Sequence, residues 1–88
     1  MNDLNNLRDQ IDELDEQLFD TLVKRFSLVG QVKQLKKDNS LPALDKKRWQ
    51  EIRNEIARKS EQAGLNSEGI TEIYEAIHKY ALNHVYED

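Results

Sequence analysis

Apolar residues in the first third of the chain recur every three or four positions: Leu4, Leu7, Ile11, Leu14, Leu18, Leu22, Val29, Val32 and Leu35. That spacing puts them on one face of an α-helix. A shorter stripe of the same kind runs through Trp49, Ile52 and Ile56, and another through Ile70, Ile73, Ile77, Ala81 and Val85. Glycine and proline occur only at positions 30, 42, 64 and 69, so the chain has few places to break and most of it is expected to be helical.

Three helices follow from the stripes and their boundaries. The first is expected from about Asp3, as N-cap, to about Lys37, where "KDNSLPA" supplies turn formers. Asp45 caps the second, which stops before Gly64, a natural residue for the position just past a helix end. The third opens at Asn66 or Ser67, carries Glu68 in its first turn and runs to about Tyr86. Gly30 lies inside the first helix and costs roughly 1 kcal/mol there relative to alanine. Close approach of another helix is the expected reason, a weak point at mid-helix the alternative.

The whole of residues 1–88 reads as a single all-α domain. Its first helix is too long for it. At 1.5 Å per residue it would reach roughly 52 Å, whereas a compact globule of this size is only about 30 Å across. Its apolar stripe continues nearly to both ends, and the two later helices are too short to cover it. A second copy of the chain is the simplest cover, so an intertwined helical homodimer is expected.

Composition narrows the rest. A chain of 88 residues buries a modest core alone, and with no cysteine it has neither disulfides nor thiolate metal sites to help it. Oligomerisation or a bound ligand must supply the support. With 13 Lys+Arg against 17 Asp+Glu and a net charge of −4, the surface is unsuited to nucleic acid or an anionic membrane. The opening "MNDLNNLRDQ" lacks the basic and apolar regions of a leader and no stretch is apolar enough to span a bilayer, so a cytoplasmic address is expected.

Charge inside the stripe changes the picture most. In "LVKRFSLVGQVKQLKK", residues 22–37, Arg25 projects within about 20° of Leu7, Leu18 and Val32. Lys36 lies about 20° from the same line and Arg8 about 100° away, on the flank. Snorkelling accounts for Arg8, and less well for Arg25 in mid-helix. An unpaired buried guanidinium costs several kcal/mol, so Arg25 needs an anion. A carboxylate of the chain itself, Asp15 or Asp45, is one source, and a small anionic ligand is the other. The segment "ALDKKRW" adds a helix N-terminus, whose free N–H groups and dipole favour negative charge, with Arg48 in its first turn. Arg8, Arg25, Lys36 and Arg48 converge if the second helix folds back along the first, a set suited to a compact dicarboxylate. Lys37, Lys46 and Lys47 read as a solvated face. His78 and His84 are six apart, on opposite sides of a helix, and read as ordinary surface histidines rather than a metal pair. Tyr74, Tyr80 and Tyr86 read as packing residues.

These residues carry a resemblance. The chain is similar over nearly all its length to the all-helical class of chorismate mutases, through "LRDQIDELDEQLFDTLVKR", "VGQVKQLK", "LDKKR" and "GLNSEGITEIYEAI". The resemblance implies an intertwined homodimer with two sites, each bounded by both subunits. By position Arg8 would reach into the partner's site, Arg25 and Arg48 would hold the substrate carboxylates with it, Lys36 would contact the ether oxygen, and Asp45 would help place the ring hydroxyl. The reaction implied turns chorismate into prephenate, on the route to phenylalanine and tyrosine. It is unimolecular and uses no metal, cofactor or nucleophile; holding the reactive conformer and stabilising charge on the breaking C–O bond suffice. Replacing Lys36 is expected to lower kcat more than it raises KM.

Three positions depart from the family pattern. Trp49 stands where a Glu usually binds the ring hydroxyl, and Ala81 and Val85 stand where Ser and then Gln or Glu are typical. The last would donate a second hydrogen bond to the ether oxygen, and losing one such donor commonly costs about 10²-fold in rate or more. His84 is a neighbouring donor of proton-bearing type. Isochorismate pyruvate-lyases and 4-amino-4-deoxychorismate mutases share the fold and are the alternatives on related substrates. A noncatalytic helical dimer or metabolite sensor is the alternative of another class, but such a module gains nothing from Arg25 at the centre of its stripe.

Overall fold

The computed structural model describes residues 2–42 and 44–86. Helix α1, Asn2–Asp38, runs unbroken through Gly30. Helix α2 covers Lys46–Gln62, and helix α3, Ser67–Tyr80, continues directly into a π-helical turn at Ala81–Val85. No strand occurs among the described residues.

Local chemistry sets these ends. At the close of α1, the Leu41 N–H donates to the Lys36 carbonyl at 2.7 Å and the Ser40 N–H to that of Lys37 at 3.2 Å. This pair of bonds forms a Schellman motif, with Ser40 left-handed at φ 56°. The end of α2 repeats it: Leu65 N–H to Ser60 O at 2.9 Å and Gly64 N–H to Glu61 O at 3.1 Å, with Gly64 at φ 74° as its position suggested. Asp45 caps α2 by accepting from the Arg48 N–H at 2.9 Å, and Asn66 caps α3 by accepting from Gly69 N–H at 2.8 Å.

Helices α2 and α3 pack on each other, while α1 meets the π-helical turn and touches α3 where the Phe26 ring packs on that of Tyr80, centroids 4.5 Å apart. Ser60 and Ala81 are buried where the elements meet; the Ser60 hydroxyl is satisfied by the Ile56 carbonyl at 2.7 Å. Arg53 and Glu75, 3.2 Å apart, link α2 to α3 at the surface, a contact worth little in water.

The N-terminal half of α1 stands clear of the other helices. Leu4, Leu7, Ile11, Leu14 and Leu18 are all exposed, Leu14 to 61%. The chain measures 57 × 26 × 16 Å with a radius of gyration of 16.4 Å, against about 12 Å for a compact domain of this length. Its accessible surface of 7306 Å² exceeds the roughly 5,400 Å² of a compact monomer this size. A wide apolar groove of ≈ 610 Å³ lies between α1 and α3, lined by Leu18, Leu22, Phe26, Ile73 and Ile77 among others. Nothing comes near Gly30: a Cβ built there would meet no atom within 4 Å, so the close approach expected of it is absent from the single chain.

Candidate active site

Where α1, the start of α2 and the end of α3 face one another, they enclose a cleft of ≈ 230 Å³. Helix α1 contributes Arg25, Val29, Val32 and Lys36, one face at helical spacing. From the start of α2 come Asp45, Arg48, Trp49 and Ile52, and from α3 and its π-helical turn come His78, Ala81, Leu82 and Tyr86. Three cations and one carboxylate thus surround an otherwise apolar space, in a chain whose total charge is −4. The sign of the charge among the lining residues is opposite to that of the chain.

Arg25 is half-buried in this wall and makes no ion pair among the described residues; neither Asp15 nor Asp45 lies at pairing distance. The internal counter-ion that sequence alone left open is therefore not found among the described residues. Asp45 keeps one carboxylate oxygen on its helix cap, and Arg48 sits in the first turn that this cap opens. The dipole of α2 adds positive potential on the same side. Lys36 lies half-buried at the far end of the α1 wall, its Nζ over the Tyr86 ring at 5.3 Å from the centroid.

The Trp49 and His78 rings stack at 4.1 Å with only 5° between their planes, closing the cleft between α2 and α3. His78 is half-buried, which corrects its reading as an ordinary surface histidine. Burial holds its pKa below the usual histidine value, and the nearby Arg25 charge lowers it further. It therefore faces the cleft as a neutral imidazole at pH 7. Its spacing held the signal: His78 lies three residues before Ala81, on the same side of α3.

The other expected residues divide. Ala81 is buried at the cleft wall, 5% exposed. Val85 does not line the cleft, and Tyr86 does. The cause is the π-helical turn, in which the Tyr86 N–H donates to the Ala81 carbonyl, five residues back, at 3.0 Å. In an α-helix residue 85 would stand over Ala81; the wider turn moves residue 86 there. His84 is exposed and packs on Tyr80 with ring centroids 4.8 Å apart, outside the cleft. Arg8 is exposed and 17 positions before Arg25, roughly 25 Å away along α1. The convergence of four cations within one chain is thus corrected to three: a straight helix cannot bring Arg8 to its own cleft.

The chain is all-helical, with a small cleft between three helices that Arg25, Lys36 and Arg48 line. The particular family is the type II chorismate mutases, to which this chain belongs: the model of that family matches residues 7–86. Membership supports chemistry of the chorismate mutase type, on a small substrate. Neither a curated protein nor a solved structure matches the chain. No helix among the described residues is long and apolar enough to cross a membrane.

Proposed function

We propose that this protein is a chorismate mutase, which isomerises chorismate to prephenate by a [3,3] rearrangement. The single observation behind the reading is Arg25: a half-buried guanidinium without a carboxylate partner among the described residues, in the same cleft as Lys36 and Arg48. A substrate bearing two carboxylates supplies the missing counter-ion.

In this reading Arg25 and Arg48 grip the carboxylates through paired hydrogen bonds. The two grips fold the side chain of the substrate over its ring and hold the carbon atoms that must bond in contact. As the C–O bond breaks and the C–C bond forms, negative charge grows on the departing ether oxygen, and Lys36 is the cation placed to stabilise it. Six electrons move within the substrate and no proton leaves it. Asp45 offers its uncapped oxygen to the ring hydroxyl, and Val29, Val32 and Ile52 exclude water around the ring, which strengthens each charged contact.

A second copy completes the enzyme. The exposed apolar stripe of α1 and the groove between α1 and α3 together present the surface that a homodimer of crossed long helices buries. Arg8 of one copy then reaches the cleft of the other, adding the fourth cation that the single chain cannot bring there.

The test is to incubate the purified protein with chorismate, follow the loss of its absorbance and identify the product. Prephenate formed well above the spontaneous rate is expected. Pyruvate release would redirect the assignment to a lyase, and the absence of any turnover would end it.

A further inference from the structure

The π-helical turn at Ala81–Val85 exchanges one side chain for another at the end of the cleft where Lys36 stands. Continued as an α-helix, α3 would present Val85, a residue with no hydrogen-bonding group. With the i to i+5 bond from Tyr86 to Ala81, it presents Tyr86. Single-turn π insertions cost hydrogen-bond geometry and occur mostly at functional sites, and this one places a phenol in the wall beside the Lys36 amine.

Resting on the mutase reading above, we propose that Tyr86 is a catalytic residue, whose hydroxyl donates the second hydrogen bond to the ether oxygen of the substrate. Three observations carry it. Tyr86 lines the cleft and is half-buried. Its ring lies under the Lys36 Nζ, 5.3 Å from the centroid, so the two side chains are neighbours at one end of the site. The two histidines are engaged otherwise: His78 stacks on Trp49 and feels the Arg25 charge, and His84 lies outside the cleft.

The chemistry asks only for a donor. The ether oxygen of the ground state accepts weakly, and as its bond to carbon breaks it gains negative charge, so a hydrogen bond to it strengthens toward the transition state. A tyrosine O–H donates without giving up its proton, and the rearrangement stays internal to the substrate. The contact of the Lys36 ammonium with the ring face holds the phenol in place. Because the gain arises in the transition state, it appears in kcat and leaves KM nearly unchanged.

Tyr86→Phe removes the hydroxyl and keeps the ring that Lys36 covers. Steady-state kinetics of the full-length chain with chorismate should show kcat lowered by about 10²-fold, KM changed by less than about threefold and an unaltered Tm. Tyr86→Gln, which restores a donor, should recover part of the loss, and His84→Ala should behave as the parent protein. An active parent with Tyr86→Phe at parental kcat overturns this proposal and leaves the mutase reading standing. So does a loss that appears equally in KM or Tm, which marks a packing role. A parent that does not convert chorismate at all removes both.

Discussion

Arg25 stands half-buried in the cleft wall with no ion-pair partner among the described residues, an arrangement that costs folding free energy when no anion is bound. The same guanidinium acts on His78, which is already disfavoured as a cation by burial. The consequence for stability has a definite sign. Above pH 6.5, the ordinary histidine value, His78 is neutral in both the folded and unfolded chain and contributes nothing. As the pH falls through 6.5 the unfolded chain takes up a proton that the folded chain refuses until its own lower pKa is reached, so stability declines across that window. Tm is therefore expected to drop between pH 7 and pH 5.5 in the parent protein, and less in His78→Gln. Equal slopes in the two proteins would show that His78 does not titrate in the cleft. Its role was masked in the sequence because a histidine at helical spacing looks the same on a solvated face as in a wall.

Helix ends and helix register divide what could be read in advance from what could not. The caps were legible: Asp45 and Asn66 each carry a short acceptor side chain before an apolar run, and Gly64 supplies the left-handed conformation that follows one. That Arg25 and Lys36 share one face of α1 was legible too, since each occupies a fixed angle on a regular helix, whereas Asp45 and Trp49 came into the cleft wall only through the family resemblance. The π-helical turn was not legible. It depends on how the end of α3 meets α1 rather than on any local residue type, and it moved the wall position from Val85 to Tyr86. Ser40 makes a prediction of its own at this scale. It ends α1 with a positive φ that glycine adopts freely and serine does not. Ser40→Gly should stabilise the chain by up to about 1 kcal/mol, and Gly64→Ala should destabilise it by about the same amount, both read from urea unfolding midpoints. A neutral Gly64→Ala would mean that the end of α2 relaxes into a different turn.

For the whole molecule, the length of α1 is the governing fact. A 57 Å chain with an exposed stripe of leucines leaves Arg8 far from its own cleft, and the proposed dimer would bring it to the cleft of the other copy. Two inactive variants should therefore repair each other. Arg8→Ala lacks the cation given away, and Arg25→Ala lacks one kept at home. A heterodimer of the two has one site with both arginines and one with neither. Unfolding and refolding an equal mixture should recover up to about a quarter of parental activity, because half of the dimers are mixed and half of their sites intact. No recovery, with sedimentation showing monomers, would contradict the shared site. The overlong helix was legible from the apolar spacing alone and is what makes a second copy the expected cover, whereas the crossing geometry of two copies is not written in any one chain.

The most direct measurement is the thermal shift produced by a bicyclic dicarboxylate ether that mimics the rearrangement transition state. A ligand present at 100 times its dissociation constant stabilises the folded state by about 2.7 kcal/mol, which raises Tm by about 10–20 °C in a domain of this size. The parent protein should show that rise, and Arg25→Ala and Arg48→Ala should lose it. An unshifted Tm in the parent protein, or an equal shift in all three, would contradict a cleft that binds a dicarboxylate through Arg25 and Arg48.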